Sequence, residues 1–189
     1  MKKLEGVAEV MVGQIMTRVA SKDGEGKEVR VIVPGAVEEG YLVEGSLGTN
    51  NLVKEMDPKF YTKAGDLVMK LTADYDVALI KEGQEGLAIS SFICVIRPKG
   101  IDAGYLCAVL NSRSVKAKLA KTAEAAIRPM IKVSDIRALE IPILSKKVQE
   151  ELGKAYMLSK EKIVLLKELI NTEKDVMNAV VDKMIKEVD

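Results

Sequence analysis

The stretch from Asp23 to Lys27 is the first place where the residue types could do chemistry. Its acids and lysine form an acid-x-Lys element of the kind that metal-dependent nucleases use. Those enzymes hold the acids on a rigid strand, whereas Gly24 and Gly26 separate them here. Glycine-rich polar segments of this kind form exposed loops. The pattern therefore favours a surface loop over a catalytic site.

Two other stretches contain residue types that occur in functional sites. Asp74 and Asp76 are paired acids on a predicted loop, with no partner that the sequence identifies. The segment 45–48, Gly-Ser-Leu-Gly, resembles a nucleic-acid-binding G-x-x-G loop, but it has no basic pair inside it and no clear helix after it. An ordinary turn is the better interpretation of that segment.

The sequence contains no histidine, which removes several kinds of chemistry at once. Ser-His-Asp and Cys-His catalysis and metal sites with imidazole ligands are excluded. There is no G-x-x-x-x-G-K or G-x-G-x-x-G loop to cradle phosphates, and no Pro-Pro-aromatic motif of amino-methyltransferases. We therefore expect a binding protein rather than an enzyme, with no cofactor and no metal.

The cysteines and the N-terminal segment indicate the cellular compartment in which the protein is expected. Cys94 and Cys107 have apolar neighbours and form no C-x-x-C pair, which predicts reduced core residues. Glu5 and Glu9 interrupt the N-terminal segment, so it does not resemble a signal peptide. The longest apolar stretch, 87–96, is too short to span a bilayer. We expect a cytoplasmic protein without membrane contact.

The chain changes character near residue 145. Before that point, short apolar runs alternate with turn residues, and 48% apolar residues in the whole chain are enough for a packed core. After it there is no proline, and the pattern is helical. We predict an α+β fold, with one mixed α/β domain over residues 1–144 and a long helix over 145–189.

Within the domain, β-branched and apolar runs between turn signals predict the strands. The expected strands or extended segments are 29–33, 67–71, 77–80, 87–96 and 139–143. The expected turns are 4–12, which is amphipathic, 45–51 and 133–136. Residues 101–121 are predicted to be helical with Asp102 as the N-cap. The strand 87–96 is mostly apolar and should be buried on both faces.

Ten residues of the C-terminal helix are spaced alternately four and three apart, and eight of them are apolar. The series is Leu152, Tyr156, Ser159, Ile163, Leu166, Ile170, Glu173, Met177, Val180 and Met184. This spacing predicts a coiled-coil seam, and a second stripe of Leu158, Leu165, Leu169 and Val176 widens it. A helix here would be roughly 65 Å long, more than the domain can cover. Its eight apolar seam residues should therefore pair with an antiparallel helix or a second copy, unless the helix folds back on its own domain.

The net charge of +1 hides an uneven distribution. Residues 23–85 contain seven basic and thirteen acidic residues, whereas residues 97–137 contain nine basic and three acidic ones. The C-terminal helix carries nine of each. A basic stretch over a helix and a loop could meet phosphates, although a solvated helix face would have the same composition.

The segment Ile141-Pro142-Ile143-Leu144-Ser145-Lys146-Lys147-Val148-Gln149 resembles a junction in the specificity subunits of type I restriction-modification systems. In that family, Ile-Pro-Leu-Pro-Pro-Leu-Glu-Glu-Gln joins a target recognition domain to a long helix. Ile141, Pro142 and Gln149 match, whereas the family's adjacent prolines and its glutamates are replaced. Residues 65–69, residues 96–112 with Tyr-Leu and Leu-Asn-Ser, and residues 4–13 resemble other family segments in the same order.

The resemblance implies a subunit without catalysis that reads DNA and scaffolds methyltransferase and restriction subunits. Family members have two recognition domains and two antiparallel helices, so this chain looks like half of one. Two copies would pair their helices into a homodimer and read two identical half-sites of double-stranded DNA at a fixed spacing.

The basic stretch and the loop after Gly13 suggest which residues lie near the DNA. The candidates are Arg113, Lys116, Arg128, Lys132, Arg18, Lys22 and Lys70. The alternative is a protein-interaction module that dimerises through the same helix and binds no DNA. The acidic region and the small net charge favour that alternative. A contiguous basic surface over residues 97–137 would distinguish the two.

Overall fold

The computed structural model describes residues 1–21, 23–124 and 130–186. The strands are β1 (Lys2–Lys3), β2 (Ala8–Val12), β3 (Lys27–Ile32), β4 (Val37–Glu38), β5 (Tyr41–Leu42), β6 (Gly48–Leu52), β7 (Leu67–Lys70), β8 (Val77–Leu79), β9 (Ala88–Ile89), β10 (Ile93–Pro98) and β11 (Glu140–Ile141). The helices are α1 (Ala103–Leu110), α2 (Arg113–Glu124), α3 (Val133–Arg137) and α4 (Lys146–Lys186). This is the predicted α+β fold with a long C-terminal helix.

The central sheet has the strand order β2-β10-β7-β8, and all its pairs are antiparallel. Successive residues of β10 point to opposite faces, as in any strand. Cys94 and Ile96 pack into the core under the helices, whereas Ile93 and Val95 pack into a second core on the other face. β10 is therefore buried on both faces, which explains why its sequence is almost continuously apolar.

A second sheet, with the order β6-β3-β9, lies beside the first. The chain leaves β2 through Gly13, whose N–H donates to Ile93 O at 2.9 Å. The next N–H, of Gln14, donates to Ile89 O at 2.8 Å. A side chain at Gly13 would collide with the carbonyls of Ile89 and Ser90, so glycine is required where the backbones meet.

The predicted helix 101–121 is interrupted, because Asn111 and Ser112 separate α1 from α2. Asn111 is buried, and its amide donates to Val77 O at 2.8 Å while its carbonyl accepts from Val77 N at 3.0 Å. The side chain thereby satisfies the backbone of the edge strand β8. Asp102 caps α1 as predicted, since its carboxylate accepts from Tyr105 N at 2.7 Å.

Four local predictions were wrong. The stretch 87–96 forms two strands in different sheets, because Ser90 and Phe92 lie at a turn between β9 and β10. Residues 48–52 form strand β6 rather than a turn, and residues 8–12 form strand β2. Residues 133–137 form helix α3. In β6, the pairing with β3 overrides the low strand propensity of Gly48, Asn50 and Asn51.

Candidate nucleic-acid interface and helix surface

Two predicted DNA contacts, Lys70 and Lys116, are engaged in an ion network inside the chain. Lys70 Nζ lies 2.9 Å from Asp76 Oδ2, and its side chain is only 11% exposed. Lys116 Nζ binds Asp76 and also lies 2.6 Å from Glu39 Oε1. Lys160 of α4 completes the network at 2.7 Å from Glu39 Oε2. The network thus joins β7, α2 and the hairpin β4-β5 to α4.

The protonation of the network follows from its contacts. Burial would raise the pKa of Glu39, but hydrogen bonds from Lys116 and Lys160 outweigh it and lower that pKa below its ordinary 4.5. Burial would likewise lower the pKa of Lys116, but its hydrogen bonds to Asp76 and Glu39 raise it above 10.5. Both shifts keep the groups charged at neutral pH. Lys70 and Lys116 are therefore neutralised locally and are poorly placed to meet phosphates.

Two arginines of the basic stretch also have structural partners. Arg97 Nε lies 3.1 Å from Asp66 Oδ1, and its guanidinium donates to the carbonyls of Lys59 and Tyr61 at 2.9 Å each. Arg137 donates to Val10 O at 2.6 Å. These contacts fix loops and the edge of the central sheet, so much of the basic excess holds the fold together.

The exposed side of α2 carries the remaining charge. Arg113, Lys118 and Lys121 are exposed, and at about 100° per residue they share one side of the helix. None of the three has an ion-pair partner among the described residues. Lys132 and Arg18 are also exposed, outside α2. Lys118 and Lys121 were not among the predicted contacts; the helical phase that separates them from Lys116 is the signal that could have found them. The predicted contacts Lys22 and Arg128 lie outside the described residues.

The first half of α4 packs on the domain through a close backbone contact. A Cβ at Gly104 of α1 would lie 3.2 Å from Gly153 Cα of α4, so the two helices touch without side chains between them. Gln149, one turn earlier, is buried, and its carbonyl accepts from Asp102 N at 3.1 Å. Its amide donates to Leu144 O at 2.8 Å, which ties the helix start to α1.

Two polar contacts and one packing contact continue this interface along α4. Lys81 Nζ lies 2.7 Å from Glu161 Oε1. Gly40, with φ at +89°, makes room for the stem of Lys160. Lys167 donates to the Tyr41 hydroxyl at 2.9 Å. The domain therefore covers one side of α4 from its start to about Lys167, and the rest of the helix extends beyond it.

The opposite side of α4 is apolar and uncovered. Seven of the eight predicted dimerisation residues are 38–63% exposed: Leu152, Ile163, Leu166, Ile170, Met177, Val180 and Met184. Leu158, Leu165, Leu169 and Val176 are 52–64% exposed beside them. Tyr156 differs, because it packs against the core of its own domain and burial raises its pKa. We call the exposed side from Leu152 to Val181 the outer face of α4.

The described residues offer no obvious catalytic chemistry. Among them, no group of three or more His, Cys, Asp or Glu side chains could hold a metal ion. Cys94 and Cys107 are free and buried as predicted, and burial raises the pKa of both thiols to about 12. Asp76, for which the sequence indicated no partner, binds Lys70 and Lys116.

No helix in the described part of the chain is both long and apolar enough for a membrane span.

Comparison with solved structures shows what this arrangement resembles. A chain from a study of the assembly and conformational transition of the type I R-M system matches with a TM-score of 0.65 at 17% identity, over 92% of this chain and 45% of that one. The HsdS subunit from Thermoanaerobacter tengcongensis matches with a TM-score of 0.60 at 15% identity, over 89% of this chain and 39% of that one. The chain has the fold of type I specificity subunits.

The S subunit of the type I restriction-modification system from M. genitalium gives the same result, with a TM-score of 0.58 at 11% identity, over 90% of this chain and 41% of that one. No family model and no curated protein matches the sequence. This chain thus spans less than half the length of these specificity subunits. The resemblance expected from the junction at Ile141–Gln149 is confirmed at the level of the fold.

Proposed function

We propose that the chain is the DNA-recognition subunit of a type I restriction-modification assembly, in a half-length form. One observation carries the proposal. The fold, including the long helix, matches specificity subunits over about nine-tenths of this chain and under half of theirs, while the outer face of α4 is left uncovered. A half-length subunit would need a second half on that face.

A homodimer would supply that second half. Two copies joined antiparallel through α4 would place their domains at opposite ends, related by a twofold axis. Protein twofold symmetry is matched by a palindromic target, so this dimer would read two identical half-sites with a fixed spacer. Residues 1–144 would act as the recognition domain, and residues 145–189 would set the distance between the two domains.

DNA contact would come from the exposed basic residues rather than from the ion network of Lys70, Asp76, Lys116, Glu39 and Lys160. Arg113, Lys118 and Lys121 on α2, together with Lys132 and Arg18, are exposed and have no ion pair within the described residues. They could therefore meet phosphates, and such contacts fix the position of a protein on the duplex. Lys22 and Arg128 remain candidates from the sequence. Lys70 and Lys116 would instead hold the domain against α4. Base reading requires side chains in the major groove, and the loops around these residues would supply them.

In this proposal, catalysis belongs to partner subunits. The dimer would scaffold the methyltransferase subunits and, in a restricting system, the restriction subunit. The near-neutral charge fits such a role, because a second half-site and the partners' own DNA contacts add avidity to a weak single domain.

The second candidate is a protein-interaction module without DNA contact. The engagement of Lys70, Lys116, Arg97 and Arg137 inside the chain favours it, because these residues are no longer available for phosphates.

Co-expression with a type I modification subunit tests the two candidates against each other. We expect the tagged chain to copurify with that subunit, and the complex to retard double-stranded DNA in a salt-dependent manner. A stable complex with no DNA affinity above that of the modification subunit alone would support the interaction module. Failure to copurify would contradict both the scaffolding role and the proposed family function.

A further inference from the structure

The outer face of α4 is apolar or small except for two charged residues. Between Leu152 and Val181, Lys162 and Glu173 are the charged side chains within this face at about 100° per residue. Both are exposed, and neither has an ion-pair partner among the described residues. A buried seam with one unpaired lysine and one unpaired glutamate would be costly, so the two charges restrict which helix can cover it.

The two charges lie on nearly one line along the outer face, about 20° apart at about 100° per residue. Lys162 lies four residues before Leu166, and Glu173 lies four residues after Leu169. A twofold axis through the midpoint between Leu166 and Leu169 therefore exchanges the positions of the lysine and the glutamate. A second antiparallel copy would bring each lysine opposite a glutamate, which is charge complementarity within a single sequence.

We propose that α4 pairs with a second copy of itself in this one antiparallel register, fixed by two reciprocal ion pairs between Lys162 and the partner's Glu173. The inference rests on the proposed homodimer and specifies its geometry. At the centre, Leu166 packs on the partner's Leu169. Farther out, Leu158 faces the partner's Met177 and Ala155 faces the partner's Val180.

Other antiparallel registers and the parallel orientation leave Lys162 and Glu173 without an opposite charge across the interface. If the partner helix is shifted along α4 by one heptad in either direction, Lys162 lies opposite the partner's Leu166 or Val180. The same shifts put Glu173 against the partner's Ala155 or Leu169. A parallel pair places lysine on lysine and glutamate on glutamate. Polar residues within a coiled-coil seam select register and orientation in this way, at some cost in stability.

The register would determine the distance between the two recognition domains. Each domain is fixed to the first half of its own helix by the contacts at Gly153, Lys160 and Lys167. A slip of one heptad would change the separation of the domains by about 10 Å, since each residue rises about 1.5 Å. That shift corresponds to about three base pairs at about 3.4 Å per step. The ion pairs would therefore set the spacer length of the bipartite site.

Charge reversal in the full chain tests the register by sedimentation equilibrium. Lys162→Glu and Glu173→Lys should each raise the dimer dissociation constant at least tenfold, because each places like charges together twice. The double variant Lys162→Glu/Glu173→Lys should restore the native value to within about threefold. Asp175→Lys, on the opposite side of the helix, is the matched control and should leave the constant unchanged.

Orientation is measured separately with a spin label at Asn178→Cys, since the native thiols are buried. In this register, the two labels lie about 32 Å apart along the axis, whereas parallel helices would place them side by side. Single reversals without effect, or a double variant that stays weak, would overturn the register but leave the dimer intact. A native chain that is monomeric at tens of micromolar would overturn the proposed homodimer as well.

Discussion

Gly104 in α1 and Gly153 in α4 meet backbone against backbone. A Cβ at Gly153 would lie 2.6 Å from Tyr105 N, the group that Asp102 caps. The contact leaves no room for even one methyl group between the two helices. Because α1 also packs on β8 of the central sheet, this contact helps to determine how the N-terminal domain sits on the long helix.

Gly153→Ala tests the importance of this contact for stability. Alanine favours an isolated helix by about 1 kcal/mol over glycine. Here we expect the opposite sign, a loss of roughly 2 kcal/mol in the free energy of unfolding, because the methyl group collides with backbone that cannot move cheaply. Chemical denaturation measures the difference. Gly6→Ala, where a Cβ meets nothing within 4 Å, is the control and should have little effect. Equal stability of native chain and Gly153→Ala would contradict the close packing of α1 on α4.

Glu39→Gln probes the ion network between the domain and α4. The pKa of Glu39 is lowered in the folded chain, so its charge stabilises the fold above about its ordinary value of 4.5. That contribution is lost as the pH falls through the lowered folded pKa. We expect the variant to lose roughly 1 kcal/mol at pH 7, the upper end for a partly exposed pair, and to approach native stability in acid.

Thermal unfolding between pH 3 and pH 7 measures this pH dependence. Glu25→Gln is the control, since Glu25 is exposed and has no ion pair within the described residues. A difference between native chain and Glu39→Gln that is constant over the whole range would show that the carboxylate's charge does not contribute.

Arg113→Ala/Lys121→Ala tests the proposed phosphate contacts on α2. In the complex with the modification subunit, we expect weaker DNA binding at all sequences. Each lost phosphate contact should also reduce the slope of log affinity against log salt by about 0.9. Fluorescence anisotropy over a salt series measures both. Lys147→Ala/Lys174→Ala removes the same charge from α4 and should leave the slope unchanged. An unaltered slope in the α2 variant would place the DNA elsewhere.

The sequence predicted well those strands whose local composition favours an extended chain and whose neighbouring strands pair with them. The β-branched run at Val29–Val33 and the apolar run at Leu67–Leu71 became β3 and β7 nearly as expected. β6 was missed because Gly48, Asn50 and Asn51 are poor strand formers individually. Its pairing with β3 is a long-range contact that no local pattern contains.

The candidate functional surface was also predictable only in part, because it too depends on contacts between segments far apart in the sequence. The apolar series on α4 was visible in its spacing, but Tyr156 belongs to the domain's own core, which depends on where α1 lies. Lys70 and Lys116 looked like surface charges because their partner Asp76 and the hairpin residue Glu39 are brought to them by the fold. Charge counts over a segment cannot distinguish a free lysine from a neutralised one.

Mapping of methylated bases is the measurement that tests the proposed function most directly. The chain and its modification subunit would be expressed in a host without endogenous methylation, and the modified positions read by single-molecule sequencing. We expect methylation at a bipartite palindrome, with two identical half-sites and one spacer length. A single-sided or asymmetric motif would contradict a homodimer that reads DNA, and absence of methylation by an assembled complex would contradict the recognition role itself.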